Sequence, residues 1–339
     1  MAGSRRAVID MHAHGFSRAA KELVDRHYTA ADIVGPDRDT YMFWAHPDAR
    51  SYDMQQIPLV MPKLVSLEAR AADMDRQRVD MQVISPIPFQ YYYWTDPSLG
   101  AALARLQNDE IAALAASNDR FAAMAALPLQ DAQASVGELR RCVLEHGIRA
   151  FIISTWIDGV ELSDRRFDPV WEEAVRHKAS LFVHPVGFND GSRLIPHFMH
   201  NAVGQPLEEQ IAITHLIFGG VLDRHPGIRF VIAHGGGYFP YYVGRMDHAW
   251  EVRPELRKQI ARRPSEYLRE LWYDTVVFRP DALEYLVNLA GADKVMLGTD
   301  YPFDMAEADP VGLIEKTNFS MAERAKICGG TIADLLGLD

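Results

Sequence analysis

Short apolar runs alternate with amphipathic stretches along most of the chain. The apolar runs have the length and residue types of buried strands, and they cover residues 8–14, 79–85, 121–127, 148–154, 180–184, 228–234, 271–278 and 294–300. Helical periodicity occupies intervals between them, notably 18–26, 66–78, 97–117, 130–146, 168–178 and 206–222. Eight strand–helix repeats predict a parallel sheet that closes into an α/β barrel of the (β/α)8 TIM class.

Residues 28–65 interrupt this rhythm. Prolines, aromatic residues and mixed polar residues follow one another there without a sustained period. We interpret the segment as a long loop or small insertion over the barrel mouth and the active site, because long loops in compact enzymes often serve as lids or binding loops. No linker or shift of composition divides the rest of the chain, so we expect a single domain over residues 1–339.

Composition narrows the possible partners. The net charge of −11 argues against nucleic acid, and no apolar run approaches the length of about 18 residues expected of a membrane span. A small anionic substrate stays compatible, because local arginines or a metal ion can reverse the local field. No secretory segment opens the chain, and Cys142 and Cys328 form no spaced pair. We therefore expect a cytoplasmic protein with free thiols.

Histidines and one aspartate stand at the ends of four predicted strands. His12 and His14 alternate along the first strand, so both imidazoles project from one face. His184, His234 and Asp300 end the fifth, sixth and eighth strands, and the C-terminal strand ends of a barrel share one face. Taken alone, His184 fits a hydrogen-bonded core histidine and Asp300 fits a loop cap. Together the five groups favour a metal site, because imidazole and carboxylate are typical ligands of zinc-like ions.

Five short motifs connect these residues to a known family. They are Asp10-Met-His-Ala-His14, Val183-His-Pro185, Ala233-His-Gly-Gly-Gly237, Gly244-Arg-Met-Asp-His-Ala-Trp250 and Met296-Leu-Gly-Thr-Asp-Tyr-Pro302. With them the chain resembles the amidohydrolase superfamily, and more closely its decarboxylase branch, which 2-amino-3-carboxymuconate-6-semialdehyde decarboxylase typifies. The resemblance spans almost the whole chain and implies a TIM barrel that holds one divalent metal ion.

The resemblance also implies a role for each candidate residue. His12, His14, His184 and Asp300 would hold the ion, and His234 would be the catalytic acid/base. In our hypothesis for the mechanism, Asp300 also carries a proton. Two-metal members of the superfamily usually bridge their ions with a carboxylated lysine on strand 4, and residues 149–154 contain no lysine. We therefore expect one ion. Three imidazoles and one carboxylate suit Zn2+ first, while Mn2+, Fe2+ and Co2+ are also compatible.

The activity that follows is metal-dependent, non-oxidative decarboxylation of a carboxylated aromatic or ring-cleavage acid. The ion would lower the pKa of its water, and His234 would take and return the proton. A hydrolase or hydratase of a lactone, amide or unsaturated acid would start from the same activated water, so the ligand set does not separate these enzymes. A metal-stabilised binding protein is disfavoured, because His234 is present in addition to a complete ligand set.

Two arginines are candidates for binding a substrate carboxylate. The resemblance suggests that Arg245 does so from the neighbouring subunit of a homodimer, and the alternative is a surface ion pair with Asp247 or Glu251. The typical decarboxylase carries a further arginine in the loop after strand 1. No arginine is clearly in register there, and Arg50 is the candidate.

Aromatic side chains suggest a flat substrate. Trp44 in the 28–65 segment and Phe303 after the last motif are the predicted contacts with the substrate ring. The aromatic run at residues 91–94 fits either a pocket wall or simple packing against the neighbouring loop.

Overall fold

Eight parallel strands form one sheet in the computed structural model, which describes residues 7–33, 35, 43 and 45–338. The strands are β1 Ile9–Gly15, β2 Met81–Pro86, β3 Phe121–Ala126, β4 Ala150–Ile153, β5 Ser180–Val183, β6 Arg229–Ile232, β7 Trp272–Asp274 and β8 Val295–Met296. Neighbours in the sheet follow the chain order from β1 to β8. The predicted strand order along the sequence is therefore also the spatial order.

The sheet closes between its first and last strands. Met11 donates its backbone N–H to the carbonyl of Leu297 at 2.9 Å, and His14 donates to Tyr301 at 2.8 Å. A parallel bridge also pairs Ala13 with Tyr301. The (β/α)8 barrel prediction is confirmed. A register shift between Asp10 and Ala13 marks a β-bulge in β1, and such bulges commonly re-aim side chains beside active sites.

Helices follow the strands and cover the outside of the sheet. They are α1 Arg18–Asp25, α2 Ala30–Ile33, α3 Pro47–Val65, α4 Leu67–Gln77, α5 Pro97–Ala116, α6 Ala132–His146, α7 Asp168–His177, α8 Met199–Ala202, α9 Gly204–Phe218, α10 Val221–Arg224, α11 Phe239–Val252, α12 Pro280–Ala290, α13 Pro310–Glu315, α14 Met321–Ala325 and α15 Thr331–Leu336. Local sequence sets their ends. The Asp131 side chain caps α6, and Gly147 ends it in the left-handed conformation.

The last two strands are shorter than the apolar runs predicted. The N–H of Val276 bonds to the side chain of Asp274 at 3.0 Å, and the N–H of Leu297 bonds to the carbonyl of Ile327 at 2.8 Å. At both places the backbone donor is satisfied outside the ladder between β7 and β8. Residues 276–278 and Asp300 line the cavity at the barrel mouth.

Part of the 28–65 segment, predicted to be a long loop or a small insertion, is helical, so it is not a loop over its whole length. Helix α3 begins with Pro47 after the capping side chain of His46, and it continues through Pro58 and Pro62. Internal prolines normally end a helix because they lack an N–H, which is why periodicity alone missed α3. Residues 34, 36–42 and 44 of the segment lie outside the described residues. A lid function for the segment stays a prediction.

No helix in the described ranges is long and apolar enough to cross a lipid bilayer.

Candidate active site

All five predicted site residues lie at the C-terminal end of the barrel. His12 and His14 project from β1, while His184, His234 and Asp300 lie on the segments that directly follow β5, β6 and β8. His12 and His14 are fully buried, His184 is 4% exposed and Asp300 is 9% exposed. The sequence separations are large, and the barrel brings the groups together because its parallel strands end on one face.

The imidazoles converge on the carboxylate of Asp300. The Nε2 atoms of His12 and His14 each lie 3.2 Å from Asp300 Oδ1, and that of His184 lies 3.9 Å from it. His234 Nε2 faces the other oxygen, Oδ2, at 3.5 Å. One donor atom each from His12, His184, His234 and Asp300 lies within 4.8 Å of the others. The cluster therefore offers more imidazole nitrogens than one small ion needs.

The opposite ring nitrogen of each histidine is hydrogen-bonded, which fixes the direction in which Nε2 points. The Nδ1 partners are Asp274 Oδ2 for His12 at 2.7 Å, Ser85 Oγ for His14 at 3.0 Å, the Pro185 carbonyl for His184 at 2.8 Å and Glu209 Oε1 for His234 at 2.5 Å. In this arrangement the Nε2 atoms are directed towards the shared centre.

The electrostatics of the cluster favour a positive charge at its centre. Burial lowers the pKa of His14 to about 4 and that of His184 well below its ordinary value, so both rings are neutral. Burial also lowers the pKa of His12, but Asp300 and Asp274 outweigh it and raise that pKa to about 9. For Asp300, burial raises the pKa, and the surrounding histidines bring it well below its ordinary value.

These residues fit a divalent metal ion. The Nε2 atoms of His12 and His184 are buried and have no hydrogen-bond partner among the described residues. Donor atoms that share a tetrahedral ion at about 2.1 Å lie roughly 3.0–3.5 Å apart. The separations of 3.2 Å from His12 and His14 to Asp300 Oδ1 fall in that range. A divalent cation would satisfy the buried imidazole nitrogens and the ionised carboxylate at once, with the Nε2 proton of His12 displaced on binding.

Two of the site residues have an unusual backbone conformation. His234 has φ 49° and Asp300 has φ 64°, a left-handed region that is uncommon for residues other than glycine and recurs at functional sites. The N–H groups of His234 and Gly235 both donate to the Asp274 carboxylate, at 3.1 and 2.8 Å. Asp274 thus supports two parts of the site: the ring of His12 and the turn that presents His234.

A cavity of about 730 Å3 opens above the cluster. His184, His234 and Asp300 lie in its wall, and most of the remaining wall is aliphatic or aromatic. Helix α3 contributes a stripe at helical spacing that consists of Met54, Ile57, Met61 and Leu64. None of the described lining residues is lysine or arginine. The cavity therefore suits a largely apolar molecule.

The predicted substrate contacts separate into two groups. Phe303 lines the cavity, and its ring centroid lies 5.5 Å from that of His14. Trp44 lies outside the described residues. The Arg50 guanidinium donates to the carbonyls of Ala45 and Phe43, so it is held at the start of α3 and does not line the cavity. Its position does not support substrate binding.

Arg245 is exposed on α11 and does not line the cavity of its own chain. The predicted alternative, an ion pair with Asp247 or Glu251, is not formed. Asp247 accepts the backbone N–H of Ser265 at 2.9 Å, and Glu251 pairs with Arg263 at 2.7 Å. Arg245 has no ion pair within the part of the chain that the structure describes. A carboxylate from another molecule could reach it.

Two carboxylates of the site, Asp274 and Glu209, were not predicted from the sequence. Asp274 ends β7, at the same barrel face as the predicted site, so its position at a strand end was an available signal. Glu209 lies four residues before Ile213 and seven before Leu216 on α9, all three of which are buried. An acid on the apolar stripe of a helix was the signal in that case.

The sequence matches the amidohydrolase family over residues 9–338. It is 38% identical, over 275 residues, to a 2-amino-3-carboxymuconate-6-semialdehyde decarboxylase from Dictyostelium discoideum, with 80% of this chain and 77% of the relative covered. The fold is similar to that of 5-carboxyvanillate decarboxylase from Sphingomonas paucimobilis, with a TM-score of 0.85 at 22% identity over 98% of this chain and 99% of the other.

A second solved structure is a dihydroxybenzoic acid decarboxylase from a Polaromonas species with bound manganese and the inhibitor 2-nitroresorcinol. Its TM-score is 0.82 at 23% identity, over 98% of this chain and 97% of that chain. At such identities the two structures establish the similarity of fold.

Proposed function

The chain belongs to the amidohydrolase family, and from this premise we propose that it is a metal-dependent, non-oxidative decarboxylase of carboxylated aromatic or ring-cleavage acids. The proposal rests on one observation: four imidazole Nε2 atoms converge on Asp300 beneath an apolar cavity. Relatives that are named decarboxylases support the reaction type. Hydrolysis and hydration start from similar sites, but no comparison favours them.

We assign the metal-ligand role to His12, His14, His184 and Asp300, with Zn2+ as the first candidate ion. The neutral rings of His14 and His184 and the ionised carboxylate of Asp300 support this assignment. The Polaromonas enzyme contains manganese, so Mn2+ is an alternative candidate for the ion of this protein. A bound divalent ion supplies positive charge that attracts the substrate carboxylate and stabilises negative charge as the carbon–carboxylate bond breaks.

His234 is the proposed proton donor. Its side chain is 17% exposed, lines the cavity and lies within 3.5 Å of Asp300 Oδ2, so a proton can move between the two groups. When CO2 leaves, the electron pair of the broken bond stays on the substrate carbon. The proton from His234 then forms the new C–H bond there. The apolar wall keeps competing water away from that carbon.

Arg245 is proposed to act in the cavity of a second copy of the chain, as the family resemblance suggests. Arg245 is exposed and forms no ion pair with the described residues, so a carboxylate of another molecule has access to it. The exposed aromatic side chains of Tyr241 and Tyr242 lie one turn earlier on the same helix, and aromatic residues are enriched at protein interfaces. We therefore propose a homodimer, and we place it in the cytoplasm.

The reaction type is tested with metal-loaded protein and a panel of aromatic carboxylates that includes γ-resorcylate and 5-carboxyvanillate. We expect CO2 release in equal amount to substrate loss. In deuterium oxide, the product should carry one deuterium at the carbon that bore the carboxylate. Uptake of water without CO2 release across the panel would reject decarboxylation in favour of the hydrolase or hydratase alternative.

The proposed dimer is tested by complementation between two inactive variants. Arg245→Ala and His234→Ala are expected to be inactive as homodimers. After dissociation and mixing, a heterodimer would carry one site with both an intact His234 and an intact partner arginine, so activity should return. No recovery in a mixture that contains verified heterodimers would place Arg245 outside the partner's site.

A further inference from the structure

Glu209 is a buried acid whose single charged partner within the described ranges is His234. Its Oε1 atom lies 2.5 Å from His234 Nδ1, and the residue has no exposed surface. The second oxygen, Oε2, has no hydrogen-bond partner among the described residues. Burying a carboxylate without a cationic partner is costly. Glu209 on the apolar face of α9 would therefore lower the stability of the fold if it had no other role.

The chain makes space for this carboxylate. Gly237 follows His234 closely and has φ 58°, and a Cβ atom at this position would lie 2.9 Å from Glu209 Oε2 and 2.3 Å from the Pro206 carbonyl. Glycine is therefore required for α9 to approach the turn that carries His234. Gly237 and Glu209 thus pack closely together, although they belong to different elements.

The hydrogen bond determines which nitrogen of His234 faces the substrate. An ionised carboxylate accepts hydrogen bonds but cannot donate them. The hydrogen of this contact must therefore be on Nδ1 of His234. Nε2 is then the atom that gains and loses a proton, and it is the atom directed at Asp300 Oδ2 and the cavity. The backbone bonds from His234 and Gly235 to Asp274 hold the turn but leave the ring free to rotate. Glu209 supplies the missing constraint on the ring.

We propose that Glu209 is a positioning residue that holds His234 in the tautomer and orientation needed for proton transfer from Nε2. The inference rests on the proposed function in one respect, since the proton transfer it serves is that of decarboxylation. The orientation and tautomer of the ring belong to the protein alone and exist without substrate. They can therefore be measured separately from the reaction.

The experiment compares Glu209→Gln and Glu209→Ala with Glu208→Gln in the zinc-loaded enzyme. Glu208 is the matched control, because it is a buried carboxylate on the same helix that bonds to Thr155 and Asn189 and does not contact His234. We expect kcat to fall about 10- to 100-fold in Glu209→Gln and further in Glu209→Ala, with KM within about threefold. Glu208→Gln should keep kcat within about twofold of the wild type.

The second readout is the 15N NMR spectrum of the histidine ring, with the His234 signals assigned by their absence in His234→Asn. In the wild type, Nδ1 of His234 should carry the proton, and Glu209→Ala should lose that signature. If the signature is present but the wild type releases no CO2, the proposed function fails and the positioning role stands. The positioning role is overturned if Glu209→Ala keeps the wild-type signature. It is also overturned if Glu209→Gln loses bound zinc in proportion to its activity.

Discussion

Buried ionisable side chains at the barrel mouth are paired with one another instead of with surface counter-ions. Asp274 is fully buried. Burial raises its pKa, but the hydrogen bond and charge of His12 outweigh this and leave it lowered. Burial raises the pKa of Glu209 to about 7, with His234 acting in the opposite direction. At the scale of the residue, His12 and His234 thus each depend on a carboxylate, Asp274 or Glu209, that does not line the cavity.

Asp274→Asn is predicted to weaken metal binding by about 10- to 100-fold, because the ring of His12 loses the charged acceptor that orients it. The measurement is a zinc titration against a competing chelator. Glu173→Gln is the matched control, since Glu173 is also a buried carboxylate bonded to a histidine, His177, but lies far from the site. Equal metal affinities in Asp274→Asn and the wild type would contradict the assigned role.

Glu208→Gln is predicted to change how stability depends on pH. Burial raises the pKa of Glu208 to about 7 from 4.5, so the folded protein holds this proton at pH values where the unfolded chain has lost it. The contribution is therefore fully present below about pH 4.5 and is lost as the pH rises through about 7. The variant should gain roughly 2–3 kcal/mol relative to the wild type between pH 5 and pH 8.

Unfolding in urea at the two pH values measures this gain. The sign is the decisive part of the result. A stability difference between Glu208→Gln and the wild type that stays constant from pH 5 to pH 8 would show that Glu208 is ionised throughout.

At the scale of the element, helix α3 lines the cavity with one face and is exposed to solvent on another, and its two internal prolines hide this helix in the sequence pattern. One stripe of the helix lines the cavity, and other positions such as Leu59 are exposed to solvent at 62% of their surface. Pro58 and Pro62 each remove one backbone donor from the helix, yet the chain continues to Val65. The apolar contacts of the inner stripe therefore matter for α3 as well as for the substrate.

Ile57→Asp is predicted to raise KM for an aromatic acid by roughly tenfold, because a charge replaces apolar surface beside the substrate ring. The kcat should change less, since Ile57 does not contact the metal site. Leu59→Asp lies on the same helix outside the cavity lining and is the control. Steady-state kinetics of both variants give the comparison, and a similar KM for the two would place the substrate away from α3.

At the scale of the whole molecule, the metal site connects parts of the barrel that are distant in the sequence. His12 and His14 belong to β1, His184 follows β5 and Asp300 follows β8, so one ion would tie the closing strands to the opposite wall. The molecule carries a net charge of −11, and the described cavity lining contains no lysine or arginine. A divalent ion at the site would therefore supply positive charge that attracts the proposed anionic substrate within one subunit.

Removal of the ion with a chelator is predicted to abolish activity and to lower the thermal midpoint by roughly 5–10 °C, because metal binding stabilises only the folded state. Calorimetry and CO2 release after readdition of Zn2+ or Mn2+ measure both effects. Activity that survives complete chelation, verified by metal analysis, would exclude a metal-dependent reaction.

Sequence alone predicted the barrel and the histidines and aspartate that converge at its C-terminal end. The apolar runs determine where strands form, and a parallel barrel places every strand end on one face. His12, His184, His234 and Asp300 could therefore be grouped without a structure. The motifs around them also identified the decarboxylase branch of the family. These inferences succeed because they depend on position within a strand and not on the packing of particular side chains.

Tertiary structure decided the contacts between elements. Asp274 meets His12 across 262 positions of sequence, and Glu209 approaches His234 only because α9 packs against a glycine turn. The helical state of residues 47–65 and the placement of Arg50 and Arg245 outside the cavity were likewise invisible to periodicity. Such features depend on side-chain direction and on packing between distant segments, and a one-dimensional pattern contains neither.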